Sequence, residues 1–206
     1  SAETVINDDS VDLDFRVESN GNTHMLFVDG GSDHVNIGTD TDYGGRLNIK
    51  TGDNTTNLVL VSTDADASVG PVLDLYRNSA SPANNDFLGN ITFRGRNNNS
   101  QDVQYAEQEV YTTDVTDGAE DGLVNYNVMT NGSNMSYLQL RAETATVVIN
   151  EDSNDMDFRV ESNNNANMLF VDGGNDKVLI GTNTPRTTFY DSNFGAQVQI
   201  EGLATT

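Results

Sequence analysis

Residues 5–39 read VINDDSVDLDFRVESNGNTHMLFVDGGSDHVNIGT, and residues 148–182 read VINEDSNDMDFRVESNNNANMLFVDGGNDKVLIGT. Aligned without a gap at an offset of 143, the two agree at 26 of 35 positions. Only duplication of a structural unit gives such agreement. The nine differences show what the unit needs. Leu13 becomes Met156, apolar for apolar, and Gly21 becomes Asn164, two residue types that tolerate positive φ. His24 becomes Asn167 and His34 becomes Lys177, so neither histidine is a chemical requirement of the unit.

Within the unit, Val11, Leu13, Phe15 and Val17 alternate with Asp12, Asp14, Arg16 and Glu18. This is the period-two pattern of a strand with one wet face. Asn20-Gly21, matched by Asn163-Asn164, predicts a tight turn with positive φ. A second strand is expected over His24–Asp29, a second turn over Asp29–Asp33, and a short third strand at Val35 and Ile37, with a lead-in strand at Thr4–Asn7. Each copy thus reads as a small β-meander. A weaker echo follows at an offset of 151: Tyr43–Lys50 against Phe194–Glu201.

Residues 55–145 are not repeated. Apolar pairs at Leu58/Leu60, Val72/Leu73/Leu75, Ile91/Phe93, Val103/Tyr105, Leu123/Tyr126/Val128 and Tyr137/Leu138/Leu140 alternate with turn-rich loops, of which Ser79–Asn85, Asn97–Gln101 and Asp114–Gly122 are the longest. This spacing predicts a β-sandwich-like or jelly-roll-like module. Val103–Tyr111 fits a helix or a strand, and its neighbours favour the strand. The domain organisation expected is therefore repeat A with its following short strand over 1–54, a middle β module over 55–145, and repeat A′ with its following short strand over 146–206.

Composition points the same way. Of 206 residues, 27 are Asn, 23 are Asp and 18 are Gly, residues that favour turns and break helices. The fold class expected is all-β. The net charge of −22 repels phosphate and argues against nucleic acid as a partner. No apolar run approaches the roughly 18 residues of a membrane-spanning helix, so no membrane insertion is expected. With no Cys, disulfides, thiolate metal sites and Cys nucleophiles are excluded together. The chain opens Ser1-Ala2-Glu3 without Met or an apolar leader, which reads as a processed form or a piece of something longer.

The residues that could carry chemistry read as structural. Thirty-two acids make carboxylate pairs of glycosidase type unavoidable, but most alternate with apolar residues or sit in turns. Asp29–Asp33 and Asp114–Asp121 hold enough oxygen ligands for Ca²⁺, yet neither has a calcium-loop spacing. His24 and His34 have no triad partners in the sequence. Arg94 and Arg96 are expected to pair with acids across strands. Aromatic residues (Tyr76, Phe87, Phe93, Tyr105, Tyr111, Tyr126 and Tyr137) gather in the middle module, where packing is favoured over sugar stacking. No catalytic, cofactor-binding or metal-ligating residue is assigned, and no cofactor is called for.

A unit of about 35 residues has too little apolar surface to fold alone, and its open edges invite aggregation. Neighbours must cover it, and closed cyclic symmetry does this economically. Here the residues resemble a family. DFRVES…NMLFVDGG.DKVLIGTNTP at Asp157–Pro185, the strand near Gln197–Gly202, and LDLYRNSASPANNDFLGNITFRGRNN at Leu73–Asn98 are similar to segments of tailed-bacteriophage tail fibres and other virion appendages, especially those of marine phages. The resemblance implies an elongated, parallel homotrimer whose shaft is built from strands of three chains. It further implies a virion location, other fibre proteins as partners, and a role in supporting host attachment, with a host-surface glycan as external partner. The sequence departs from that pattern in two ways: no receptor-binding tip is evident after Gly202, and the C-terminal chaperone-like segment of some fibres is missing. A subunit of a non-viral extracellular filament or adhesin is the alternative, with a glycan-degrading tailspike behind it.

Overall fold

A computed structural model describes residues 4–185 and the strand Val198–Ile200. The protein is all-β: the described residues hold thirteen strands in three sheets and no helix. The chain divides into two compact units, Ser1–Leu73 and Asp74–Thr206.

The first unit holds β1 (Phe15–Val17), β2 (Leu26–Asp29), β3 (His34–Ile37) and β4 (Leu47–Ile49), in sheet order β1-β2-β3-β4. β1 and β2 are antiparallel with Val17 opposite Leu26, and β2 and β3 with Val28 opposite Val35. Contrary to the alternation of Val11–Val17, only Phe15–Val17 is a strand. Asn7 takes φ 63° and Ser10 φ 51°, and the Asn7 side chain bonds both the amide and the carbonyl of Val11. This local side-chain bonding therefore consumes backbone groups a longer ladder would need.

The tight turn expected at Asn20-Gly21 forms, with Ser19 N–H donating to Asn22 O at 2.8 Å as Ser162 N–H does to Asn165 O, but without the positive φ. Neither residue, nor Asn163 or Asn164, has positive φ. The connection from Val17 to Leu26 spans eight residues and is turned by side-chain oxygens: Asn22 N–H donates to Ser19 Oγ and His24 N–H to Asn22 Oδ1. Left-handed backbone falls instead at Asp33 (φ 58°), at the foot of the β2–β3 turn.

β4 pairs with β3 in parallel, Val35 opposite Leu47 and Ile37 opposite Ile49. The unit is therefore a meander with one parallel strand appended. The connection, Gly38–Arg46, is shorter than the usual crossover of a dozen or more residues. Two left-handed glycines, Gly38 (φ 80°) and Gly44 (φ 90°), turn it back.

Repeat A′ lies in the second unit as β10 (Phe158–Val160), β11 (Leu169–Asp172), β12 (Lys177–Ile180) and β13 (Val198–Ile200), in the same order and with the same parallel last pair, Val178 opposite Val198. The backbone repeats in detail. Asn150 (φ 64°), Ser153 (φ 53°), Asp176 (φ 54°) and Gly181 (φ 81°) match Asn7, Ser10, Asp33 and Gly38. Gly173 N–H donates to Asp157 as Gly30 N–H does to Asp14, each at 3.1 Å. The offset of 151 for the following strand holds at Val198–Ile200; Phe194–Gln197 and Glu201 lie outside the described residues.

The middle strands are β5 (Phe87–Arg96), β6 (Asp102–Asp114), β7 (Asp121–Thr130), β8 (Ser133–Arg141) and β9 (Thr146–Ile149). They form one antiparallel sheet in sequence order, not the two facing sheets expected. The ambiguous segment Val103–Tyr111 is strand. No strand forms at Leu58/Leu60 or at Val72–Leu75, and no backbone–backbone hydrogen bond joins any of residues 51–76 to another described residue.

Candidate functional site

Strand register sorts the five-stranded sheet into two unlike faces. Three cross-strand rows make up one face: Phe93, Ala106, Val128 and Met135; Ile91, Gln108, Tyr126, Leu138 and Ile149; Gly89, Val110, Val124, Leu140 and Val147. Only Gln108 among them is polar. Seven of these side chains are exposed, from Tyr126 at 37% to Val147 at 67%. Full burial of such a side chain is worth about 1.5–3 kcal/mol, and these seven forgo part of it.

The opposite face is polar and packed upon itself. Glu107, Asn125, Asn127, Ser136 and Gln139 are all buried there. Asn127 Nδ2 donates to Glu107 at 3.1 Å and to Glu109 at 2.9 Å, Asn134 Nδ2 to Glu107 at 2.6 Å, and Ser136 Oγ to Asn125 at 2.6 Å. Side-chain amides thus hold the two carboxylates, which face into a hydrogen-bonded ladder. Sequence reading missed this ladder. Its signal was there in the alternation Glu107/Glu109 and Asn125/Asn127, but which strands would sit side by side was not.

The structure brings two of the three long loops together. Asn85 N–H donates to Thr112 O at 2.8 Å, Thr112 Oγ1 to Ala83 O at 3.0 Å, and Val115 N–H to Asn84 Oδ1 at 3.0 Å. Ser79–Asn85 and Asp114–Gly122 therefore share one end of the sheet, where Phe87 and Tyr111 pack with ring centroids 5.2 Å apart. Burial raises the Tyr111 phenol above its ordinary pKa. Asn97–Gln101 closes the β5–β6 hairpin at the opposite end. It is tied by Asn97 N–H to Gln101 O at 3.0 Å.

Acidic turns use their carboxylates on their own backbone. Asp114 Oδ1 accepts from Thr116 N–H at 2.8 Å, and Glu120 accepts from Gly118 N–H at 3.1 Å. Thr116's side chain, then its amide, hold the Asp114 carboxyl below the usual range. Asp29 accepts from Ser32 and Gly31 amides at 2.9 and 3.0 Å and is lowered for the same reason, by Ser32 first. Asp53, bonded by the Thr51 hydroxyl and by Thr55, is lowered to about 2.

His24 and His34 both face the loop that returns β3 to β4, with His24 Nε2 3.8 Å from Asp40 and His34 Nδ1 3.2 Å from Asp42. Where repeat A′ has Asn167 and Lys177, it also has Asn183 and Pro185 in place of the two aspartates. Histidine and acid change together, so these two pairs belong to repeat A alone. Arg94 and Arg96 both pair with Asp102 across the hairpin, at 3.6 and 3.3 Å. No protein-family model matches this chain, and no curated protein matches it significantly.

Proposed function

We propose that this chain is a structural, non-enzymatic subunit of a tailed-phage tail fibre or similar virion appendage, acting as a homotrimer in which each chain covers the apolar faces of the others. One observation carries the reading: among the described residues, four hydrophobic side chains (Phe27, Leu123, Phe170 and Leu179) are buried, while thirty large hydrophobic ones are exposed. A monomeric domain rarely leaves so many large apolar side chains exposed. Closed symmetry covers it without leaving open edges. The threefold order and the virion setting rest on the resemblance of Asp157–Pro185 and Leu73–Asn98 to fibre segments.

Its action is mechanical and multivalent. Three-fold presentation of the paired loops Ser79–Asn85 and Asp114–Gly122 turns weak contacts with a surface glycan into avidity. The net charge of −22 per chain keeps assembled appendages from sticking to one another. Gold-labelled antibody raised against the chain, applied to particles from the source lysate, tests the assignment. Label is expected on tail appendages. Label confined to cell-derived filaments would place the protein in the non-viral alternative.

A further inference from the structure

The duplication reaches further than the sheets, and its two copies are not equally satisfied. In repeat A′ the lead-in is strand β9, and it completes the five-stranded sheet: Ile149 pairs with Leu138, Val148 with Gln139 and Val147 with Leu140. Three further contacts seal the junction. Asn150 N–H donates to Tyr137 O at 3.3 Å, Asp152 Oδ2 accepts from Ser136 N–H at 2.8 Å, and Glu151 forms an ion pair with Arg141.

Repeat A carries the matching residues at an offset of 143: Thr4, Val5, Ile6, Asn7, Asp8 and Asp9. The turn that follows is preformed identically, with Asn7 and Ser10 in the same left-handed conformation as Asn150 and Ser153. Yet Thr4, Val5 and Ile6 form no hydrogen bond with any described residue. Val5 and Ile6 are 52% and 57% exposed, and Asp8 and Asp9 are exposed too. Repeat A thus presents the turn and both acids of a sheet junction without the sheet, and Thr4–Ile6, expected as a lead-in strand, is not a strand here.

From this we infer that Thr4–Asp9 is a docking strand for the outer strand of another β-module of the same kind as residues 87–141. That strand has alternating apolar residues, a free backbone edge and an arginine. Its edge pairs with Val5 and Ile6, its arginine meets Asp8, and one of its amides donates to Asp9. Main-chain pairing gives such a contact its affinity, and the charge at its end sets the register. This chain's own β8 is taken by β9, so the partner is a further module. The inference concerns joining along the chain direction and stands or falls separately from the trimer.

A labelled peptide with the β8 sequence, SNMSYLQLRA (residues 133–142), supplies the test with the full chain. Saturable binding at one peptide per chain is expected, with amide exchange at Thr4–Asp9 slowed at least tenfold. Ile6→Asp should weaken binding at least tenfold. Asp8→Arg should weaken it as well, and a peptide carrying Arg141→Glu should restore it. A second protein, with residues 74–145 duplicated directly ahead of Glu3, should show the same protection of Thr4–Ile6 without any peptide. Absence of protection there, or peptide binding indifferent to Ile6 and Asp8, would overturn the inference.

Discussion

Asn36 and Leu179 occupy the same place in the two repeats, and both have no exposed surface. One site therefore solves a packing problem in two ways. Leu179 fills it with hydrocarbon, and Leu179→Ala should lower stability by about 2–5 kcal/mol, the range for buried leucines, in urea unfolding. Asn36 fills it with an amide whose Oδ1 accepts from Asn48 Nδ2 at 2.8 Å. Asn48→Ala leaves that acceptor buried and unpaired and should cost about 1–3 kcal/mol. Glycine matters at a second residue-scale site, the Asp-Gly-Gly turn. A Cβ on Gly30 would lie 2.7 Å from Leu13 O, and one on Gly173 would lie closer still to Met156 O. Backbone cannot step aside cheaply, so Gly30→Ala should destabilise by roughly 1–3 kcal/mol, where Gly21→Ala, with open space around it, should not. Asp53 gives a pH prediction. Its folded pKa lies below the ordinary carboxylate value, so what it contributes to its turn is present above that value and lost as pH falls toward about 2. NMR titration of its carboxyl carbon should give that midpoint, and Thr51→Ala should move it upward.

At the scale of elements, the reading from sequence succeeded where apolar alternation and turn composition agreed, as in Phe87–Arg96, Asp102–Asp114 and Asp121–Thr130. It failed where local side-chain bonding overrode alternation. Val11–Asp14 alternates as a strand should, but the Asn7 side chain holds the start of this segment in a turn. It failed again at Leu58/Leu60 and Val72–Leu75, whose β-rich composition has no partner strand among the described residues of the chain. β-propensity is largely a measure of packing against neighbours, and a neighbour in another chain leaves no mark on a single sequence. The site was legible in parts: the two loops were visible, but their meeting through Thr112 and Asn84 depends on β6 returning to the start of β5. The sheet's apolar face gives the prediction at this scale. Phe93→Asp combined with Val128→Asp, both on the outermost row, should leave the strand signal in circular dichroism intact while lowering the mass in solution toward one chain. Loss of the strand signal with no change of mass would show that the face serves the chain's own fold.

The whole molecule carries one imbalance. Among the described residues, four hydrophobic side chains are buried and thirty large ones are exposed, nine of them in the strandless stretch 58–76, and the sheet's polar side is already satisfied by its own amides and carboxylates. In the proposed trimer each chain completes the others, so folding and assembly should be one concentration-dependent event. If recognition resides in the chain, replacing Ser79–Asn85 and Asp114–Gly122 together by short Gly/Ser turns should abolish adsorption to host cells while assembly persists. Replacing Asn97–Gln101, at the other end of the sheet, should not. The mass of the intact protein by multi-angle light scattering across micromolar concentrations tests most directly whether three chains complete one another. Three times 22.3 kDa is expected, with no folded monomer on dilution. A well-folded particle of 22.3 kDa throughout that range would contradict it.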